Sequence, residues 1–345
     1  MVSLDRVKRA IHGQQLDRFP TFPISIASSC ALTGTPQGRY SLDSDVLAQT
    51  LLQVREMFDF DGVYVSRDNW IYHEALGGEL NFPEDDEPYS AKALLQAPSE
   101  HTRLRVPEPN RAPGMRTVLA AARQVVRAVG GEYYVQANID TGPFSLGAEL
   151  MGLENFLIAV STLDEAEVRS YLDFCTSVVV AYGEAMIETG VHGIQYGDAC
   201  ASLVSPEMYR NLVLPYQAES VARLAGRDCD LWIHICGNTE HLLPMVADLP
   251  IDGFEVDAKV PLATARRLIG ESIGLKGNID TSLLLQRSPD EVYEETLRIL
   301  RDYGQESGLV FSPGCGVPRM TPRANLTAMV AACREHSPQA ANRMD

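Results

Sequence analysis

Eight short apolar runs, separated by longer amphipathic stretches, constrain this chain more than any other feature of its sequence. They cover positions 19–26, 62–66, 133–138, 193–196, 231–236, 253–256, 273–276 and 309–312. Short continuous apolar runs of this kind suit strands buried on both faces. Helical spacing marks 45–57, 116–129, 164–188, 206–225, 239–248, 263–269 and 289–303 between them, with 322–335 closing the pattern. An opening helix carries Leu4, Val7, Ala10 and Ile11 on one face and stops at Gly13. Parallel strands need long crossovers, so this alternation reads as successive βαβ units. The strand count favours a closed (β/α)8 barrel (a TIM barrel) over an open doubly wound sheet, and no GxGxxG follows the first strand. The expected organisation is one barrel domain over 1–345, with an N-terminal helix. An insertion after the second strand, at about 67–115 and rich in Pro, Glu and Asp, could cap its mouth.

Charge narrows the partners. The chain has 345 residues, 45% of them hydrophobic, and a formal net charge of −17. Such an acidic chain is a poor match for nucleic acid or an anionic membrane surface. No apolar run approaches the roughly 18 residues a membrane span needs, and no secretory leader is evident. A cytoplasmic enzyme is expected. The seven cysteines show no disulfide framework and no CxxC pair, so reduced thiols are expected.

Two of those thiols stand apart. In Leu231-Trp232-Ile233-His234-Ile235-Cys236, strand alternation puts His234 and Cys236 on one side. Cys315 follows the last apolar run inside the turn Pro313-Gly314-Cys315-Gly316. An imidazole and two thiolates are zinc-preferring donors, and three protein ligands without a fourth mark a catalytic rather than a structural zinc. Glycines beside both cysteines mark strand ends where the backbone must bend. Cys30, Cys175, Cys200, Cys229 and Cys333 read as small buried hydrophobes, Cys200 least firmly because it follows Asp198. A zinc site of low net charge suits two tasks: lowering the pKa of a substrate thiol, or acting as a Lewis acid on an ether oxygen so that its methyl becomes transferable.

In a barrel the active site collects at the C-terminal strand ends. Asn138, Asp198, Asp257 and Asn278 end neighbouring runs. A substrate role for Asp198, Asp257 and Asn278 competes evenly with helix capping and loop support; second-shell support of His234 by a carboxylate is intermediate. Tyr64, Trp70 and Phe144 are candidates for an aromatic substrate pocket, against plain core packing.

The segments H-I-C-G-N at 234–238, L-K-G-N-I-D at 275–280 and S-P-G-C-G-V-P at 312–318 resemble the uroporphyrinogen decarboxylase superfamily. The opening R-V-K-R-A-I-H-G-Q-Q-L-D-R-F-P, G-P-F-S-L at 142–146, G-D-A-C-A-S at 197–202, S-P-E-M-Y at 205–209 and T-P-R-A-N-L at 321–326 extend the resemblance over nearly the whole chain. It implies a (β/α)8 barrel. It points to the corrinoid-dependent methyltransferase branch, in which zinc is held at positions matching His234, Cys236 and Cys315. The metal-free decarboxylases carry an arginine-rich N-terminal segment and a histidine where this chain has Cys315; positions 25–30 here contain no arginine. The branch implies methyl exchange between a corrinoid cobalt and either a thiol such as coenzyme M or a donor such as a methoxylated aromatic. A methoxylated aromatic is slightly favoured by the aromatic candidates. No D-x-H-x-x-G segment is present, so the corrinoid is expected on a separate corrinoid-binding protein. A homodimer is allowed. Metal-free decarboxylation of a porphyrinogen is the alternative.

Overall fold

The computed structural model describes residues 1–24, 27–304 and 307–336. Within them, seven parallel strands form one sheet in sequential order. They are β1 (Gly62–Val65), β2 (Tyr134–Thr141), β3 (Gly193–Gly197), β4 (Asp230–Ile235), β5 (Gly253–Val256), β6 (Gly274–Ile279) and β7 (Leu309–Pro313). Every neighbouring pair is parallel, and every strand is almost wholly buried. The seven expected strands from 62 onward match these closely. So do the helices Ser44–Phe58, Pro113–Val129, Glu165–Ile187, Leu262–Ile269, Pro289–Tyr303 and Arg323–Glu335.

The expected first strand is different. Positions 25 and 26 lie outside the described residues, and the rest of 19–26 makes a single parallel bridge, Thr21 to Phe311. Pro20 and Pro23 explain this, because neither can donate to a ladder. The segment is still held between β7 and β1. Phe311 N–H donates to the Pro20 carbonyl (2.8 Å) and Asp61 N–H to the Thr21 carbonyl (2.9 Å). Buried Asp61 anchors it further, accepting from Arg6 (2.8 Å), Arg18 (2.7 Å) and the Thr21 N–H (2.9 Å).

Two expected helices are corrected. Positions 206–225 hold a π-turn, Tyr209–Val213, between Pro206–Met208 and Leu214–Leu224. Pro215 has no N–H to give the preceding turn, which widens to accommodate it. Of 239–248 only Leu243–Val246 is helical. The sequence pattern also passed over Pro143–Met151, a nearly all-apolar helix without an amphipathic period, and Leu153–Thr162, which buries only Phe156 and Ala159. No single described helix is long and apolar enough to cross a membrane. The stretch 67–115 contains the helix Ile71–Ala75, the 3-10 turn Pro98–Arg103 and connecting loops.

Candidate metal centre and its cavity

At the C-terminal ends of β4 and β7 the chain brings His234, Cys236 and Cys315 together. One ligand atom from each lies within 4.8 Å of the others. His234 Nε2 stands 3.1 Å from Cys236 Sγ, and the two sulfurs are 3.9 Å apart. Around a tetrahedral zinc with ordinary bond lengths, sulfur–sulfur spacing is about 3.8 Å and nitrogen–sulfur about 3.6 Å. The trio therefore fits a single divalent ion with small side-chain adjustments.

The imidazole is aimed by the backbone. Its Nδ1 is 3.1 Å from the Glu255 carbonyl oxygen on β5, so Nδ1 carries a proton. Nε2 faces the sulfurs, as a donor to Cys315 in the metal-free cluster and as the ligand atom once that proton gives way to a metal. Burial works against charge on His234, but the Cys315 sulfur outweighs it and lifts the imidazole above its ordinary value. Hydrogen bonds from Cys236 and His234 pull the Cys315 thiol down to about 4. Cys236 moves up instead, because its proton is held by Cys315 and it is buried. One sulfur is thus a thiolate even without a metal, which is the state a ligand needs.

Glycine makes the two cysteine turns. Gly237 has φ +90°, a conformation L side chains rarely adopt. Its N–H donates to Asp257 Oδ2 at 2.8 Å. On the other side, a Cβ on Gly314 would lie 2.4 Å from the Ala258 backbone nitrogen, so only glycine lets the Cys315 loop approach the end of β5.

The cluster opens into a cavity of about 740 Å³ whose wall also includes Tyr64 and Trp70. Tyr64 donates to Gln195 (2.5 Å) and accepts from Asn138 (2.8 Å), which locks the ring at the cavity floor. Beneath it Lys276 pairs with Glu255 at 3.0 Å, both buried, and burial lowers the lysine's pKa.

The remaining expected residues sit behind this wall. Phe144 is fully buried, edge-on to Phe156 at 4.8 Å. Asp198 is also buried: it accepts the Ser145 N–H (2.8 Å) in the first turn of Pro143–Met151 and the Gln217 amide (2.9 Å). Asp257 holds Gly237 and the Lys259 N–H (2.9 Å). Asn278 donates to the carbonyls of Asp257 (3.1 Å) and Val260 (2.6 Å). These side chains fasten loops around the cluster rather than facing the cavity.

Asp140 and Glu149 are among the cavity-wall carboxyls that escaped the sequence reading, with Asp86 and Glu87 of the 67–115 stretch. Asp140 follows the third apolar run by two positions, a detectable strand-end signal. Glu149 lies in the overlooked helix Pro143–Met151 and carried none.

Comparison with known proteins agrees with this geometry. Residues 3–336 match the family described as uroporphyrinogen decarboxylase (URO-D). A methylated-thiol–coenzyme M methyltransferase of Methanosarcina mazei is 27% identical over 342 residues, 97% of this chain and 90% of the relative. The methylcobamide:CoM methyltransferase MtbA of Methanosarcina acetivorans is 28% identical over 339 residues, 96% of this chain and 97% of that one. A solved methyltransferase structure from Methanosarcina mazei superposes with a TM-score of 0.87 at 23% identity, covering 97% of this chain and 99% of its own. Matched by that family model over residues 3–336, the chain belongs to the uroporphyrinogen decarboxylase family, and like these relatives it is a methyltransferase.

Proposed function

We propose that the protein exchanges a methyl group between a small molecule and the cobalt of a corrinoid carried by a partner protein, with zinc held by His234, Cys236 and Cys315. The observation that carries this reading is the convergence of the three donor atoms within 4.8 Å beside the cavity. Zinc there would supply Lewis-acid chemistry, lowering a thiol pKa or weakening a methyl–heteroatom bond. The chain's own residues do the rest. The Glu255 carbonyl orients the imidazole, Asp257 fixes the turn after Cys236, Asn278 fastens the loop that carries Asp257, and Asp198 holds the helix Pro143–Met151 that forms one wall. Tyr64 and Trp70 offer the methyl-bearing molecule an apolar, aromatic surface, which suits a methoxylated aromatic donor, with a thiol acceptor as the other candidate.

The same proposal covers architecture and setting. The segment at 19–24, bonded to both β7 and β1, stands where an eighth strand would close a (β/α)8 barrel. The 67–115 stretch acts as an insertion over the mouth, since Asn69, Trp70, Asp86 and Glu87 face the cavity. One barrel domain would then span the chain, working in the cytoplasm, as a monomer or homodimer, beside a corrinoid-binding protein.

Incubation with methylcobalamin or cob(I)alamin, followed by screening of thiols and methoxyarenes for methyl exchange, tests the reading. Exchange that disappears in Cys236→Ala and Cys315→Ala proteins is expected. Metal-independent release of carbon dioxide from a porphyrinogen, without methyl exchange, would overturn it in favour of decarboxylation.

A further inference from the structure

The cavity carries a second polar centre besides the sulfur–imidazole cluster. Asp140 is only 3% exposed and its carboxylate is drawn to the Ile71 N–H, yet its Oδ1 has no hydrogen-bond partner among the described residues. Its Oδ2 accepts the Tyr72 N–H at 3.1 Å. Glu149 accepts the neighbouring N–H of His73, and its buried Oε1 likewise has no partner among the described residues. Both residues line the cavity. Asp140 holds φ +72°, an unusual conformation for a residue other than glycine.

The nearest cation is already committed. Arg67 lies 2.5 Å from Asp68 and 2.7 Å from Glu74, all three largely sequestered from water. Shared between two carboxylates, the guanidinium lowers the Asp140 carboxyl only as the smallest of the influences on it. The wider wall adds Asp86 and Glu87, with Arg319 as its one arginine or lysine. Burial, reinforced by Asp68, raises the Asp140 carboxyl to about 7, and burial with the Asp140 charge raises Glu149 as well. Buried acceptors without donors are costly, and a ligand that supplies donors recovers that cost. A cation there is compensated as either carboxyl ionises, whereas an anionic group meets like charge from any ionised carboxyl and gains no such compensation.

We propose that Asp140 and Glu149 are specificity residues that receive the non-reacting end of the substrate, selecting an N–H or O–H donor, best a cationic one, and rejecting an anionic tail. The inference rests on the cavity being the methyl-transfer site and names the class of molecule it takes. It also sets this chain apart in tail chemistry from relatives whose names specify coenzyme M, which carries a sulfonate.

Three thiols that differ only at the tail test it: 2-aminoethanethiol, 2-mercaptoethanol and 2-mercaptoethanesulfonate. Calorimetry on one preparation of the full chain is expected to rank them ammonium tightest and sulfonate weakest, with about 10- to 100-fold between the extremes. Asp140→Asn and Glu149→Gln should compress that range. Should either variant fail to fold, wild-type titrations in buffers of different ionisation heat give a second reading. Each thiol gives up its S–H proton to a bound metal, and the ammonium thiol should release more protons near pH 7 than the sulfonate does, the excess coming from the carboxyls. Sulfonate binding as tight as ammonium, or equal proton exchange for both, would overturn the proposal. Binding is read without turnover, so a preference without methyl exchange would count against the proposed reaction only, and exchange without a preference against the tail site only.

Discussion

The Asp257 carboxylate accepts the Gly237 N–H at 2.8 Å, tying the end of β5 to the turn that follows Cys236. That single bond links a residue outside the cavity to the position of a sulfur in the proposed metal site. Supporting partners of this kind typically account for 10- to 100-fold in metal affinity. Asp257→Ala is therefore expected to weaken zinc binding by about that factor. Competition with a chromophoric chelator measures it, and an unchanged affinity would show the bond to be incidental.

Close backbone approach makes a second prediction. A Cβ on Gly314 would sit 2.4 Å from the Ala258 nitrogen, and backbone cannot yield as a flexible side chain can. Gly314→Ala should displace the loop that carries Cys315 and lower both metal retention and methyl transfer. The far-UV spectrum should stay unchanged. Full zinc retention in that variant would mean the loop has slack the packing does not suggest.

The N-terminal segment depends on Asp61, which is buried among Arg6, Arg18 and the Thr21 N–H. Removing one partner of a buried ion pair strands the others, at a cost of about 3–5 kcal/mol. Asp61→Ala should lose stability of that order in a urea titration. A loss below about 1 kcal/mol would show that the segment is held by packing alone.

Asp140 gives a pH dependence. Burial, then the charge of Asp68, raises its carboxyl to about 7, against about 3.9 in an unfolded chain. The folded form binds the proton more tightly, so this contribution is complete below about pH 4 and is lost as pH rises through about 7. It is on the order of 4 kcal/mol. Wild-type protein should lose stability across that window, and Asp140→Asn should flatten the slope. A slope unchanged by the substitution would contradict the assignment.

Much of this was legible in the sequence because it depends on local pattern. β5 and the helix Pro289–Tyr303 have the bounds the apolar and amphipathic periods imply. Strand alternation alone puts His234 and Cys236 on one side. The failures have equally local causes. Pro20 and Pro23 look apolar but deny the 19–26 segment a ladder. The helix Pro143–Met151 is buried on nearly all sides, so it shows no period. Asp198, Asp257 and Asn278 were legible as strand-end polar groups, but their partners, Ser145, Gly237 and Val260, are set by tertiary contacts. The orphaned oxygens of Asp140 and Glu149 are invisible to any pattern, since a missing partner exists only in three dimensions.

Elemental analysis tests the central claim most directly. The purified protein should carry about one zinc per chain, as expected for a three-ligand site. Cys236→Ala and Cys315→Ala proteins should carry almost none while keeping wild-type circular dichroism. Zinc retained at wild-type stoichiometry in a folded Cys315→Ala protein would contradict the assignment of the metal to these three side chains.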